Sequence, residues 1–139
     1  MCSKSVLGCN MITEPQQLPV PWGSSTQQVL FERVDPARNV CKYYRLVFEV
    51  HAQSHEPYTV TAIWGRYYSA PRRRVWSFKD YLQCQRQLIG MCRRRISHGY
   101  RIVGYSDFPL LKPWLEGHRE YFAQRTVLPF FEVIPLVDA

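Results

Sequence analysis

Apolar and polar residues alternate along much of the first half of the chain, and this pattern predicts β-strands. The alternation is clearest in "YYRLVFEV", residues 43–50, where Tyr44, Leu46, Phe48 and Val50 fall on one face. Turn residues such as proline, glycine and asparagine separate this stretch from its neighbours. The predicted strands span residues 29–34, 43–50, 58–67 and 72–76, with a last one at 100–104.

The spacing of apolar residues changes to three and four between residues 78 and 96, which is typical of an amphipathic helix. This stripe consists of Phe78, Tyr81, Leu82, Leu88, Ile89, Cys92 and Ile96. Ser77 is the predicted N-cap, with Asp80 as its capping-box partner, and Gly99 is a stop signal. The expected fold is therefore α+β, with about four or five antiparallel strands packed against one long helix.

Three segments follow from this pattern. Residues 1–25 contain interspersed proline and glycine, so we expect a flexible N-terminal arm without regular structure. Residues 26–106 form the predicted domain. Residues 107–139 form a C-terminal extension that contains four prolines and a possible short helix near 115–124. The extension either packs on the domain or trails from it.

The charge is concentrated in the middle of the chain. The 139 residues carry a net charge of +7, and residues 25–110 hold 14 basic against 6 acidic residues, a net +8. Most of the excess is arginine, whose planar guanidinium binds phosphate, carboxylate and aromatic faces well. A basic segment of this kind favours a polyanionic partner.

Other classes of chemistry find little support in the sequence. The five cysteines are odd in number and lack CxxC spacing, so reduced and mostly buried thiols in a cytosolic protein are the simplest interpretation. The histidines and cysteines lack metal-ligand spacing, and nucleotide-binding and nucleophile motifs are missing. We therefore expect a protein that is not an enzyme and has no metal, cofactor or membrane span.

Residues from about 29 to 105 resemble a WGR domain, the module of poly(ADP-ribose) polymerases and of bacterial WGR-domain proteins. The resemblance rests on the order of several features: "VDPARNVCKYY" with Asn39 and Lys42, the tripeptide at 64–66, an aromatic-led helix, and Arg95 shortly before a Gly-Tyr pair. The chain departs from the family pattern after the tripeptide. Residues 67–71 read Tyr-Tyr-Ser-Ala-Pro where the family has a glycine-bearing turn, and Arg95 stands where lysine is usual.

The resemblance implies DNA-strand-break recognition, in which the tryptophan packs on a terminal nucleotide and the arginine contacts DNA. The matching positions here are Trp64 and Arg66, with Gly65 between them allowing close backbone approach. The predicted nucleic-acid-binding residues are Lys42, Trp64, Gly65, Arg66, Arg72, Arg73, Arg74 and Arg95. Tyr44 and Tyr100 are expected to be structural.

Each of these residues also has a purely structural interpretation. The alternation in strand 58–67 is compatible with Trp64 in the core as well as with Trp64 in contact with a ligand. Arginines at a sheet edge discourage edge-to-edge aggregation, and at most two of Arg72, Arg73 and Arg74 can share a face. Arg93 and Arg94 suit the C-terminal end of a helix dipole.

Two hypotheses remain. The first is a cytoplasmic, repair-related module that binds DNA ends, nicks or backbone, in a bacterial-type cytosol or nucleoid. The second is an adaptor whose WGR face binds a protein partner. Clustering of Arg66, Arg72, Arg74 and Arg95 around Trp64 would favour the first.

Overall fold

Six strands form one sheet in the computed structural model of the protein, which describes residues 16–17, 27–106 and 109–124. The strands are β1 (Gln16–Gln17), β2 (Gln27–Asp35), β3 (Val40–Val50), β4 (Tyr58–Arg66), β5 (Arg72–Phe78) and β6 (Arg101–Tyr105), and they lie in the order β1-β6-β2-β3-β4-β5. Strands β2 to β6 pair antiparallel with one another. The α+β fold with five antiparallel strands confirms the prediction.

The N-terminal arm contributes the sixth strand. Gln16 and Gln17 pair in parallel with Gly104 and Tyr105 at the outer side of β6. The expectation that residues 1–25 lack regular structure is therefore wrong for these two residues. The rest of the predicted arm lies outside the described residues.

The long helix α1 spans Tyr81–Ser97 and packs against one face of the sheet, called here the helix side. Its N-cap is Asp80, whose carboxylate accepts a hydrogen bond of 2.9 Å from the backbone N–H of Gln83. The prediction of Ser77 as the cap is wrong, because Ser77 continues β5 and pairs with Thr59 of β4. Phe78 likewise ends the strand and does not begin the helix.

The helix ends as the glycine predicts. Gly99 has a φ of +92°, and its N–H donates to the Ile96 carbonyl at 3.0 Å while the Tyr100 N–H donates to the Arg95 carbonyl at 3.0 Å. This pair of bonds is the Schellman motif, which needs a left-handed residue after the helix. It reverses the chain so that β6 starts beside the last helical turn.

The main core lies between the helix side of the sheet and α1. Phe31, Leu46, Val60 and Ala62 from the strands meet buried helix residues, which are Cys84, Leu88 and Cys92. The predicted apolar stripe is wrong at its start, since Tyr81 and Leu82 are 41% and 56% exposed. Burial in this core raises the pKa of the Cys92 thiol.

The opposite face of the sheet is also buried. Its apolar cluster includes Leu30, Tyr43, Val47, Ile63 and Tyr67. Two charged residues lie among them and are paired: Arg45 donates to the Gln28 side chain, and the Tyr67 hydroxyl donates to Glu32 at 2.5 Å. Burial on both faces explains why β3 holds so few polar residues.

The described part of the C-terminal extension packs into the main core. The helix α2 spans Lys112–Gly117, and a 3-10 turn follows at Arg119–Tyr121. The buried residues of this segment are Leu110, Leu111, Trp114, Leu115 and Phe122. The backbone N–H of Ala123 also donates to the Ile102 carbonyl of β6 at 2.9 Å. The observed helix thus begins before the predicted start at residue 115.

The cysteines do not all fit the expectation of reduced thiols. Cys84 and Cys92 are buried and carry free thiols. Cys41, which is also buried, is disulfide-bonded, so the expectation is wrong at this position. Within the described residues, neither helix has the length and apolar character needed to span a membrane.

Candidate nucleic-acid interface

Three basic residues stand side by side across three neighbouring strands at one end of the sheet. Arg33 of β2 pairs with Lys42 of β3, and Lys42 pairs with Arg66 of β4. Residues directly opposite each other in an antiparallel sheet share a face, and like charges in that position repel. Folding therefore places three cations, called here the cation row, where an anion would relieve their repulsion.

The adjacent row on the same face is aromatic. Phe31, Tyr44 and Trp64 occupy opposed positions on β2, β3 and β4, and Arg72 of β5 completes this aromatic row. Trp64 stacks on Tyr44 with a centroid distance of 5.8 Å and an interplanar angle of 24°. Tyr44 is buried and Trp64 is half-buried, so the indole rests on a fixed ring while still reaching the surface. Both interpretations of Trp64 thus have a structural basis.

The end of α1 supplies another cation to this site. The Schellman bond between Arg95 and Tyr100 holds the two residues together, and the Arg95 guanidinium lies 4.4 Å from the Tyr44 ring centre and 5.5 Å from that of Tyr100. Burial raises the pKa of both phenols, although the nearby Arg95 charge opposes this shift. Both phenols therefore stay neutral at pH 7, and the Arg95 charge is not cancelled by them.

These elements surround one open cavity of about 1020 Å³. Five basic residues line it, and no acidic residue does so among the described residues; the basic ones are Arg33, Lys42, Arg66, Arg72 and Arg95. Trp64, Gly65, Ser97, His98, Gly99 and Tyr100 contribute further walls. Six of the eight predicted binding residues thus meet at this cavity.

The three consecutive arginines of β5 separate. Arg72 pairs with Trp64 and Arg74 pairs with Ala62, so both lie on the helix side of the sheet. Arg73 pairs with Ile63 and points to the opposite face. Arg73 and Arg74 both lie outside the cavity lining, and the Arg74 guanidinium is 4.9 Å from the Trp76 ring centre. The predicted cluster around Trp64 therefore includes Arg66, Arg72 and Arg95, with Arg74 at the next position along the edge.

The loop after the tripeptide has its own shape. Arg66 donates a 2.8 Å hydrogen bond to the carbonyl of Asn39, which ends the 3-10 turn Pro36–Arg38 with a φ of 56°. Tyr67 turns inward to the buried Glu32. Tyr68 then adopts a φ of 70° and is 57% exposed. A tyrosine thus takes the left-handed conformation that usually favours glycine.

Sequence reasoning missed Arg33 and His98 as members of the site. Arg33 follows the strand alternation as an ordinary polar residue, and only its register opposite Lys42 reveals the cation row. His98 lies at the C-cap of α1, and the reversal at Gly99 brings it to the cavity. The alternation of residues 29–34 contained a usable signal, because it puts Arg33 on the same face as Phe31.

Comparison with known protein families identifies the module formed by these strands and the helix. The model of the WGR domain family matches residues 27–105, which is the segment from β2 to β6. The WGR domain is a nucleic-acid-binding type of module and is not itself catalytic. No curated protein and no solved structure matches the chain.

Proposed function

Because the chain belongs to the WGR domain family, we propose that it is a non-enzymatic DNA-binding protein that recognises duplex ends or nicks. The proposed site is the cavity around Trp64. We also propose a place of action in a bacterial-type cytosol or nucleoid, where DNA is accessible, and a role related to DNA repair, because ends and nicks are the lesions that repair acts on.

The observation that carries this proposal is the cation row beside the aromatic row. Arg33, Lys42 and Arg66 are opposed on neighbouring strands, and mutual repulsion there lowers the stability of the folded chain. An arrangement that costs stability without a core function is typical of a binding site. Phosphate groups would compensate these charges and release counterions from DNA.

The residues of the cavity suit different parts of a DNA end. Arginine binds phosphate oxygens in a bidentate manner, which fits Arg66, Arg72 and Arg95. Lys42 and Arg33 add charge on the same face. Arg73 lies on the opposite face, so in this proposal it contributes only to the long-range field.

Trp64 gives the proposal its preference for ends. An intact duplex hides its base faces in the stack, whereas an end exposes one flat terminal face and a nick exposes such a face when the duplex opens there. The half-buried indole, supported by Tyr44 at 5.8 Å, can cover that face. Stacking of a base on an aromatic side chain contributes ~1–3 kcal/mol, which corresponds to a preference of at least about fivefold.

The test is a competition experiment by fluorescence anisotropy. A hairpin with one blunt end and a fluorophore in its loop is bound by the protein and displaced by a covalently closed circle or by the same circle with one nick. We expect the nicked circle to compete better, with weak dependence on sequence. Affinity should fall roughly 500-fold between 50 and 200 mM salt if five phosphates are contacted.

Variants locate the site. Trp64→Ala should reduce the preference for the nicked circle more than it reduces overall affinity, provided that circular dichroism shows a folded protein. Arg94→Ala removes an exposed charge of the last helical turn outside the cavity and serves as the control. Absence of binding at low salt, or binding that responds neither to salt nor to Trp64→Ala, would refute DNA-end recognition.

The exposed apolar residues favour the second function, a protein adaptor. Tyr68 is 57% exposed beside the tripeptide, and Tyr81 and Leu82 are 41% and 56% exposed in the first turn of α1. An exposed tyrosine beside the tripeptide suits a protein interface, where aromatic residues are enriched. Salt separates the two functions, since apolar contacts do not weaken with ionic strength as phosphate contacts do.

A further inference from the structure

We propose that β5 carries a second stacking position, made by Arg74 on Trp76, for an unpaired nucleotide of a single-stranded overhang. This inference rests on the proposed function and extends it from duplex ends to ends with unpaired nucleotides. Arg74 and Trp76 lie outside the cavity, so they form a separate surface next to it, called here the edge platform.

The register of the sheet places the edge platform next to Trp64. Arg72 is opposite Trp64, Arg74 is opposite Ala62, and Trp76 is opposite Val60. All three β5 side chains therefore lie on the helix side of the sheet, in single file away from the cavity. Successive members are about 6.7 Å apart along the strand. That spacing is close to the distance between successive nucleotides of an extended single strand.

The geometry of Arg74 suits a nucleobase. Its guanidinium carbon lies 4.9 Å from the Trp76 ring centre, while the residue as a whole is exposed. Trp76 is half-buried and packs against the main core, so it provides a fixed base for the guanidinium. Single-stranded nucleic acids stack their bases on arginine planes as well as on aromatic rings. The exposed side of Arg74 is thus a flat cationic surface.

The charge around the platform matches a nucleic-acid strand. The sequence of β5 is "RRRVWSF", with no acidic residue, and Lys79 follows it. The next carboxylate along the chain, that of Asp80, accepts a hydrogen bond from the Gln83 N–H at the start of the helix. Binders of single strands combine such a basic track with planar groups for the bases. β5 is also an edge strand of the described sheet, so a single strand of nucleic acid has room to pass along it.

The experiment compares two hairpins that differ only at their end, one blunt and one with an overhang of four thymidines, by fluorescence anisotropy with the intact chain. The readout is the overhang gain, defined as the ratio of the blunt to the overhang dissociation constant. We expect a gain of about fivefold for the unmodified protein. A third hairpin, with an overhang of four abasic nucleotides, keeps the phosphates and should show no gain beyond twofold.

Three variants test the platform. Arg74→Ala should reduce the gain to less than twofold while changing the affinity for the blunt hairpin less than it changes that for the overhang. Arg74→Lys keeps the charge but loses the plane, so it should also lose most of the gain. Arg73→Ala removes a neighbouring charge from the opposite face and should leave the gain unchanged.

The outcomes separate this inference from the proposed function. Tight, salt-dependent binding of the blunt hairpin without any overhang gain would overturn the edge platform alone. Equal loss in Arg73→Ala and Arg74→Ala, or an undiminished gain with the abasic overhang, would also overturn it by reducing the effect to charge. No binding of any hairpin would refute the proposed function as well. Arg74-dependent binding of a decaglutamate peptide without an overhang gain would reassign the surface to an acidic protein segment.

Discussion

The guanidinium carbon of Arg95 lies 4.4 Å from the centre of the Tyr44 ring, and the same ring supports Trp64 at 5.8 Å. The last turn of α1 and the end of β4 therefore meet at one buried phenol. Residues that share a partner are coupled, so a change at Arg95 alters the support of the indole. The helix thus takes part in shaping the cavity and does more than cover the core.

A first prediction concerns the two roles of Arg95. Arg95→Ala should lower DNA affinity, reduce the salt dependence by about one phosphate, and lower the free energy of unfolding by about 1 kcal/mol through loss of the cation–π contact. Arg95→Lys should restore the salt dependence but not all of the affinity. Salt titrations and urea denaturation measure the two effects. Arg94→Ala, in the same helical turn, is the control, and an equal effect of both alanine variants would contradict a specific role of Arg95.

A second prediction concerns the start of α1. The Asp80 carboxylate accepts the Gln83 N–H at 2.9 Å, whereas Ser77 is part of β5. Asp80→Ala should therefore lower the free energy of unfolding by about 1 kcal/mol, the usual cost of losing an N-cap. Ser77→Ala should change it by less than about 0.5 kcal/mol, as for other exposed positions. Urea denaturation of both variants gives the answer, and the reverse order would restore Ser77 as the cap.

The strands and the helix could be predicted from the sequence because their apolar periods differ. The boundary between β5 and α1 could not, since Ser77 and Asp80 are both good N-caps and the choice depends on tertiary pairing. Phe78 pairs with Tyr58 of β4, and this contact extends the strand past Ser77. Pairing in the sheet therefore outweighs the capping preference of Ser77, and the N-cap lies three residues later, at Asp80.

The site could be predicted only in part for a related reason. Trp64, Arg66 and Arg95 carry the resemblance to the family, so the sequence pointed to them. The cation row depends on strand register, and a single sequence does not give the register between β2 and β3. The different directions of Arg73 and Arg74 follow from alternation, but which of them lies on the helix side of the sheet also requires the register.

A third prediction concerns the left-handed residue of the loop. Tyr68 has a φ of 70°, which a residue with a Cβ adopts at a cost of about 1 kcal/mol or more relative to glycine. Because Tyr68→Ala and Tyr68→Gly both remove the side chain, the difference between them reports the backbone alone. The glycine variant should be more stable by about 1 kcal/mol. At the neighbouring Ser69, where φ is negative, alanine should be at least as stable as glycine, and the same order at both positions would refute the assignment.

The last prediction compares two glycines, one with helical and one with left-handed backbone geometry. Gly90 lies within α1 with ordinary helical geometry, and a Cβ there would meet nothing within 4 Å. Gly90→Ala should therefore raise the free energy of unfolding by roughly 0.5–1 kcal/mol, because glycine is a poor helix former.

Gly99 has a φ of +92°, and its Cβ would lie 3.3 Å from Nε of Arg33. Gly99→Ala should lower stability by about 1 kcal/mol or more and, by displacing Arg33, should also weaken DNA binding. Thermal or urea denaturation with parallel anisotropy separates the two effects. A Gly99→Ala protein that is as stable as the unmodified chain would refute the left-handed reversal, and one that is destabilised but binds DNA normally would exclude Arg33 from the site.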